Sequence, residues 1–369
     1  MRKLVTTLRW LVGLLFIFSG LVKANDPMGL SYKMLEFFEA WGWHFLDDYT
    51  LYASIAMNVC EVLAGIALLV GWQIKFFNWF LLLLISFFTF LTAYVLFSGK
   101  IKECGCFGDC IPLSGVNTFI KDVVLLVMIV ILLFNNKYIT SKLNYVISII
   151  FLLLSVFLTI GVQIYVLRHL PFVDCLPYKK GNNILKQMQI PEGAVTDSFA
   201  ITFKYRKNGN MIEFDKNHFP PDFDSTYEYL DRYDKLVRKG NAEPAIIDFS
   251  IKTLNGTDTT TTLLNQDCVL LMLKDFDTPV RLWQNDVLRI NDLCKKKQLH
   301  FYIVTAMPEK MSEIFSPAHI TILKADATVI KTAVRVQPAY VLLQKATIVG
   351  KHSFVDIERV EADINKLHP

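Results

Sequence analysis

Residues 76–99 read FFNWFLLLLISFFTFLTAYVLFSG, a run without a single charge. A helix rising about 1.5 Å per residue needs roughly 20 such residues to cross a hydrocarbon core. This stretch therefore predicts a membrane span, and four more flank it. Residues 4–22 hold only Arg9, with Lys23 just beyond, and both stems can snorkel to an interface. Residues 51–72 carry one charge, Glu61, and residues 143–167 carry none. Residues 116–135 hold Lys121 and Asp122 in their first turns. The charge distribution divides the chain in the same way. Of 38 Lys+Arg and 34 Asp+Glu in 369 residues, only 20 fall in the first 167 positions, so a membrane part precedes a soluble part. With 53% hydrophobic residues and 7 Cys, the chain is no wholly soluble enzyme, disordered chain or disulfide-dense miniprotein. A net charge of +4, widely dispersed, gives no footprint for nucleic acid.

The first span follows Met-Arg-Lys as a signal peptide would, but Val22-Lys23-Ala24 is a poor cleavage site, so it is retained as a helix. Five spans put the two termini on opposite sides. Arg2, Lys3, Arg9, Lys75, Lys137 and Lys142 lie in short segments on one side; Lys23, Lys33, Lys100 and Lys102 lie in longer ones on the other. The positive-inside bias predicts a bacterial inner-membrane protein, N-terminus in the cytoplasm and C-terminal part in the periplasm. Residues 28–47, with Trp41 and Trp43, read as an amphipathic helix on the outer interface.

Three of the seven cysteines crowd the loop Glu103-Cys104-Gly105-Cys106-Phe107-Gly108-Asp109-Cys110. On the outer side disulfides form and persist. A bridge between Cys104 and Cys106 would be strained, because Cα atoms must stand about 4.4–6.8 Å apart, and a strained, exposed disulfide suits exchange. Gly105 and Gly108 permit the tight turn. Cys110 is placed as a resolving or third thiol. A structural disulfide and a Cys-ligated metal site compete with this reading; no fourth His or Cys lies nearby, so no metal is assigned.

Arg9-Trp-Leu-Val-Gly13, Phe16, Ser19-Gly20-Leu-Val-Lys23 and Asp26-Pro27 resemble the first-helix signature of MauE/DoxX-like membrane proteins. Glu61-Val-Leu-Ala-Gly65 through Gly71, and Cys104-Gly105-Cys106-Phe107-Gly108, continue the resemblance over about residues 4–136. It implies a redox-associated role in disulfide formation or in maturation of exported proteins. Charges inside spans are functional candidates. Glu61 is a candidate proton carrier or a structural partner for Lys23 or Lys121. Asp122 is a candidate for tuning thiol protonation or a counter-ion of Lys121. Cys60 reads as packing.

In the soluble part, residues 197–215 alternate on either side of Asn208-Gly209, a hairpin signal. Residues 220–243 read as a connector, and residues 246–254 and 257–264 as a second hairpin around Asn255-Gly256. A buried strand at 268–273, a helix at 280–297, a strand at 300–305, a helix at 309–315, a hairpin at 339–343 and 347–351, and a helix from about 354 follow. Asp248-Phe249, Leu263-Leu264, Val269-Leu270-Leu271 and Gln337-Pro338-Ala339-Tyr340 resemble the TlpA and peroxiredoxin branch of the thioredoxin fold, the last as its cis-proline segment. That resemblance implies peptide binding at Gln337 and Pro338. Where such proteins carry Cys-x-x-Cys, this chain reads Asp275-Phe-Asp-Thr-Pro-Val280, so catalysis by this domain alone is not expected.

The expected architecture is thus an α-helical membrane bundle of four spans (1–140) plus a fifth connecting span (141–168), a linker with a small β-containing region (169–244), and a soluble α/β thioredoxin-like domain (245–369). The expected function is thiol–disulfide exchange, as an oxidoreductase or an accessory to one. Cys104 and Cys106 form the exchangeable pair, and Cys110 or Cys175 resolves it. Its partners are the lipid bilayer and an exported substrate or redox protein, and a membrane quinone is a candidate electron acceptor. The alternative is a non-enzymatic envelope adaptor with structural cysteines and a peptide-binding thioredoxin-like ectodomain.

Overall fold

A computed structural model describes residues 1–101, 105, 108–111, 113–139, 143–196, 198–215, 218–238, 240, 242–315 and 318–367. Among these residues, five helices are long and apolar enough to cross a membrane: α1 (Arg2–Asn25), α3 (Thr50–Val70), α4 (Ile74–Ser98), α5 (Gly115–Phe134) and α6 (Tyr145–Arg168). Between the first two runs α2 (Pro27–Trp41), followed by a 3₁₀ turn at His44–Tyr49. Asp26 caps α2 by accepting from Gly29 N at 2.9 Å, and Pro27 supplies the preset φ of a first helical residue. α1 and α3 approach through glycine. A Cβ on Gly65 would stand 2.7 Å from Gly13 O, and one on Gly20 would stand 2.7 Å from Val62. Arg9 closes the end of α3, donating from Nε to Leu68 O at 2.7 Å, where helix carbonyls lack partners. Asn58 Nδ2 donates to Gln163 Oε1 at 3.0 Å, tying α3 to α6.

The chain forms two compact units, residues 1–181 with 250–369, and residues 182–249. The smaller unit contains the short helix α7 (Ile184–Gln187) and a three-stranded antiparallel sheet. The sheet comprises β1 (Ser198–Lys207), β2 (Asn210–Asp215) and β3 (Glu228–Arg238) in the order β2-β1-β3. The β1–β2 hairpin turns at Asn208-Gly209, as its sequence predicts. Residues 220–243 are no mere connector, because β3 pairs along most of β1. Its dense charge hid it, yet a solvated strand face needs no apolar residues: Lys204 faces Asp231, and Arg206 faces Glu228. Tyr205, Phe214, Phe223 and Tyr227 make the aromatic core of this unit.

The C-terminal part of the larger unit is a six-stranded sheet in the order β4-β7-β6-β5-β8-β9. Its strands are β4 (Ile251–Lys252), β5 (Cys268–Leu273), β6 (His300–Thr305), β7 (Thr321–Ala325), β8 (Ala339–Gln344) and β9 (Thr347–Ser353). β5, β6 and β7 run parallel, while β8 and β9 form the antiparallel hairpin. The helices are α8 (Thr260–Leu264), α9 (Gln284–Lys296), α10 (Pro308–Phe315), α11 (Ala327–Ala333) and α12 (Ile357–Lys366). Val269, Leu271 and Leu273 pack with Trp283, Val287 and Ile290 of the α9 region and with Val360 and Ile364 of α12.

The second hairpin expected around Asn255-Gly256 does not extend. The turn forms, with Thr253 N on Thr257 O at 2.9 Å, but only Lys252 and Asp258 bridge across it. Asp258 accepts from Thr260 N at 2.8 Å, and the Thr260 hydroxyl accepts from Ile251 N at 2.8 Å. These side chains capture the backbone and start α8, and β4 pairs with β7 instead. β7 and α11 had no strong periodic signal in sequence.

Candidate functional site

The end of α1, the loop after α4 and the segment after α6 meet in one place. Gly105 and Gly108 take φ of +72° and +57°, left-handed values that suit glycine. Gly108 N donates to Gly105 O at 2.9 Å and leads into a 3₁₀ turn at Gly108–Cys110. Cys110 is bonded to Cys175, their Cα atoms 4.8 Å apart. The bridge joins the loop after α4 to the segment after α6, which Asn25 also holds through Val173 O at 2.9 Å. The structure thus gives Cys110 and Cys175 to each other, a pairing the sequence left open. Cys104 and Cys106 lie outside the described residues.

Each bridged cysteine follows an aspartate, and each aspartate meets a cation of the C-terminal sheet region. Asp109 pairs with the Arg335 guanidinium, which also holds Asp26 through Nε at 2.7 Å and Lys331 O at 3.0 Å. Arg335 is only 8% exposed. Asp174 pairs with Lys351 Nζ at 2.7 Å; burial lowers the Lys351 ammonium from its ordinary pKa, and Asp174 opposes that shift. Ser353 donates to Arg168 O at 2.6 Å, and His169 meets Asp356 at 3.0 Å. The sheet region is therefore clamped onto the loop end of the bundle by charges beside the disulfide. Sequence reasoning missed Arg335, Lys351, Asp109 and Asp174. The one local signal was an acid directly before each of Cys110 and Cys175.

Deeper in the bundle, Glu61 forms an ion pair with Lys23, whose Nζ also stands 4.6 Å from the Phe88 ring centroid. Asp122 pairs with Lys121 at 2.9 Å. Both acids are only 1% exposed. Lys23, Glu61, Lys121 and Asp122 line one cavity of about 20 Å³, room for a single water. Glu61 Oε2 and Asp122 Oδ2 have no hydrogen-bond partner among the described residues, and buried acceptors of this kind are commonly met by water. The structure brings the two candidate carboxylates to one cavity, each beside a cation. Such a cluster can hold and pass protons within the membrane.

In the sheet region the Gln337–Pro338 peptide bond is cis. Gln337 Oε1 accepts from Lys274 N at 2.6 Å, Gln337 O accepts from Thr278 Oγ1 at 2.8 Å, and Pro338 O accepts from Phe354 N at 3.1 Å. The segment 274–278, which stands in place of a dithiol, thus folds back onto Gln337. Cys268 and Cys294 are fully buried, and burial pushes both thiols up to about 12. Among the described residues no group of three or more His, Cys, Asp or Glu is arranged to hold a metal ion.

A family model described as a domain of unknown function (DUF8463) matches residues 199–239, the three-stranded sheet of the smaller unit. No curated protein and no solved structure matches the chain. The family model of methylamine utilisation protein MauE matches residues 1–135; this N-terminal part is similar to that family, and with its apolar helices the chain is a multi-pass membrane protein.

Proposed function

We propose that this protein takes part in thiol–disulfide exchange, or in maturation of exported proteins, on the outer face of a bacterial inner membrane. Cys104 and Cys106 are the exchangeable pair, and the sheet region, read as a thioredoxin-like domain without its dithiol, presents the partner. The observation that carries the reading is the Cys110–Cys175 bridge. With those two joined, and Cys60, Cys268 and Cys294 free thiols within helices and a core strand, the cysteines left for exchange are Cys104 and Cys106. A thiolate of that pair attacks a partner disulfide, forming a mixed disulfide as the partner's second sulfur leaves. The other thiol of the pair then displaces the partner, and Cys110 or Cys175 can serve as resolving thiol only when their own bridge is open. The bridge also supports the orientation with both segments in an oxidising compartment.

The alternative, a non-enzymatic adaptor with structural cysteines, is favoured by one observation: the Cys110–Cys175 bridge itself ties the loop after α4 to the segment after α6. Thiol trapping in cells separates the two. Exchange requires that Cys104 and Cys106 be recovered in both reduced and oxidised forms, and that Cys106→Ser trap a mixed disulfide. Full function in a Cys104→Ser, Cys106→Ser double variant would leave the adaptor reading standing.

A further inference from the structure

Around the first turns of α1 lies a pocket of about 520 Å³. Its described lining includes Arg2, Arg9 and Trp10 of α1, Val70 at the end of α3, Tyr138 of the 3₁₀ turn Asn136–Tyr138, and Phe151 of α6. That size falls within the roughly 300–1,000 Å³ of pockets that take small molecules. Trp10 and Phe151 are 52% and 48% exposed on the sides of two spanning helices, so one wall opens towards lipid. The other wall is cationic. Arg9 donates from Nε to Leu68 O at 2.7 Å and from Nη2 to Leu69 O at 2.6 Å, and a carbonyl has no net charge with which to cancel that of the guanidinium. The segments forming this end of the bundle supply no acid: residues 1–22, 62–99 and 123–167 contain neither Asp nor Glu. Lys3, Lys75 and Lys137 add further positive charge there.

We infer that this pocket holds one anionic phospholipid of the leaflet that meets this end of the bundle, with its phosphodiester on Arg2 and its glycerol esters beside Arg9. The placing of the two cations carries the inference. Arg2 and Arg9 stand two turns apart on one face of α1, which separates them by about 10 Å along the helix axis. Arg2 is exposed and Arg9 half-buried. A ligand that meets both must reach from the aqueous edge into the bilayer, as a phospholipid does and a soluble anion does not. The guanidinium fork matches phosphate oxygens, and basic pockets between spanning helices take anionic headgroups. A zwitterionic headgroup brings its own ammonium to an end already rich in cations, whereas a net negative one brings only the charge that is missing. Trp10 has the amphipathic ring that sits at headgroup level. Tyr138 supplies a further O–H donor, and Phe151 an apolar surface for an acyl chain. The inference depends neither on the cysteine chemistry nor on which leaflet this is.

The test uses the delipidated full-length protein in neutral detergent, titrated with an equimolar mixture of dioleoyl phosphatidylglycerol and dioleoyl phosphatidylcholine and read by native mass spectrometry. The expected result is one phosphatidylglycerol retained per chain in preference to phosphatidylcholine. Arg2→Gln should weaken that retention about fivefold, the weight of one cation near an anionic headgroup. Lys75→Gln removes a charge from the same end but outside the pocket lining, and should leave retention unchanged. Val70→Trp fills the pocket from α3 and should abolish retention while the melting temperature stays that of wild type. If that variant does not fold, the contrast between Arg2→Gln and Lys75→Gln decides alone. Equal retention of the two lipids overturns the inference, as does an equal effect of Arg2→Gln and Lys75→Gln, which would mean diffuse charge rather than a site. Undiminished retention by a folded Val70→Trp protein overturns it too. Displacement of the lipid by glycerol 3-phosphate would do the same, by making this a site for a soluble anion.

Discussion

Arg335 places its guanidinium where side chains of Asp26 and Asp109 answer its charge, and both partners come from the membrane part. Removing one member of a buried pair leaves the others uncompensated, at a cost of about 3–5 kcal/mol. Arg335→Ala should therefore lower the melting temperature sharply in detergent. Arg335→Lys should recover little, because an ammonium cannot reach both carboxylates with a planar fork. The same scale decides which thiols react. Cys268 and Cys294 lie at about 12 against an ordinary value near 9, so both stay neutral in the fold. Iodoacetamide at pH 8 should leave both unlabelled until the protein is unfolded. The sign for stability follows from the raised folded values. Their contribution is complete below pH 9 and is lost as pH rises from 9 towards 12, which a melting series across that range would read. The residue types were legible: Glu61, Asp122 and the cysteine trio stand out by composition alone. Lys121 was also legible as the counter-ion of Asp122, and Lys23 as one of two candidate partners for Glu61; the partner of Cys110 was not.

At the level of elements, the glycines that carry the family resemblance have a packing reason. Gly13, Gly20 and Gly65 let α1 and α3 approach until backbone meets backbone. Gly65→Val forces a Cβ to within 2.7 Å of Gly13 O and should cost about 1–3 kcal/mol in an unfolding titration. Gly161 in α6 is the control, since a Cβ there meets nothing within 4 Å. Gly161→Ala should leave stability unchanged or raise it by up to about 1 kcal/mol through helix propensity. The loop is the other element with a clear cost. Cys110→Ser or Cys175→Ser opens a bridge across 65 positions, expected to lower stability by about 2–4 kcal/mol. Thermal unfolding with and without a membrane-permeant reductant checks it: the reductant should lower the melting temperature of wild type and leave either variant unmoved.

For the whole molecule, the disulfide and the charge clamps require the cysteine loop and the C-terminal sheet region to share one face of the membrane. In the proposed orientation, five spans put the N-terminus on the other face. A reporter fused after Pro369 should be active only in the periplasm, and one fused before Met1 only in the cytoplasm. Cytoplasmic activity of the C-terminal fusion would refute the orientation.

The sequence by itself determined the five spans, the Asn208-Gly209 hairpin and the buried strands β5 and β6. Each depends on apolar length, alternation or turn chemistry within a few consecutive residues. It also singled out Cys104, Cys106, Glu61 and Asp122, because their residue types are costly or reactive where they stand. The tertiary structure alone decided that Cys110 bonds Cys175, that Lys23 answers Glu61, and that Arg335 reaches Asp26 and Asp109 across 309 and 226 positions. It alone gathered Lys23, Glu61, Lys121 and Asp122 around one water-sized cavity. Pairings at such separations leave no local pattern, since they exist only once helix packing has removed the groups from water and made each charge need a partner.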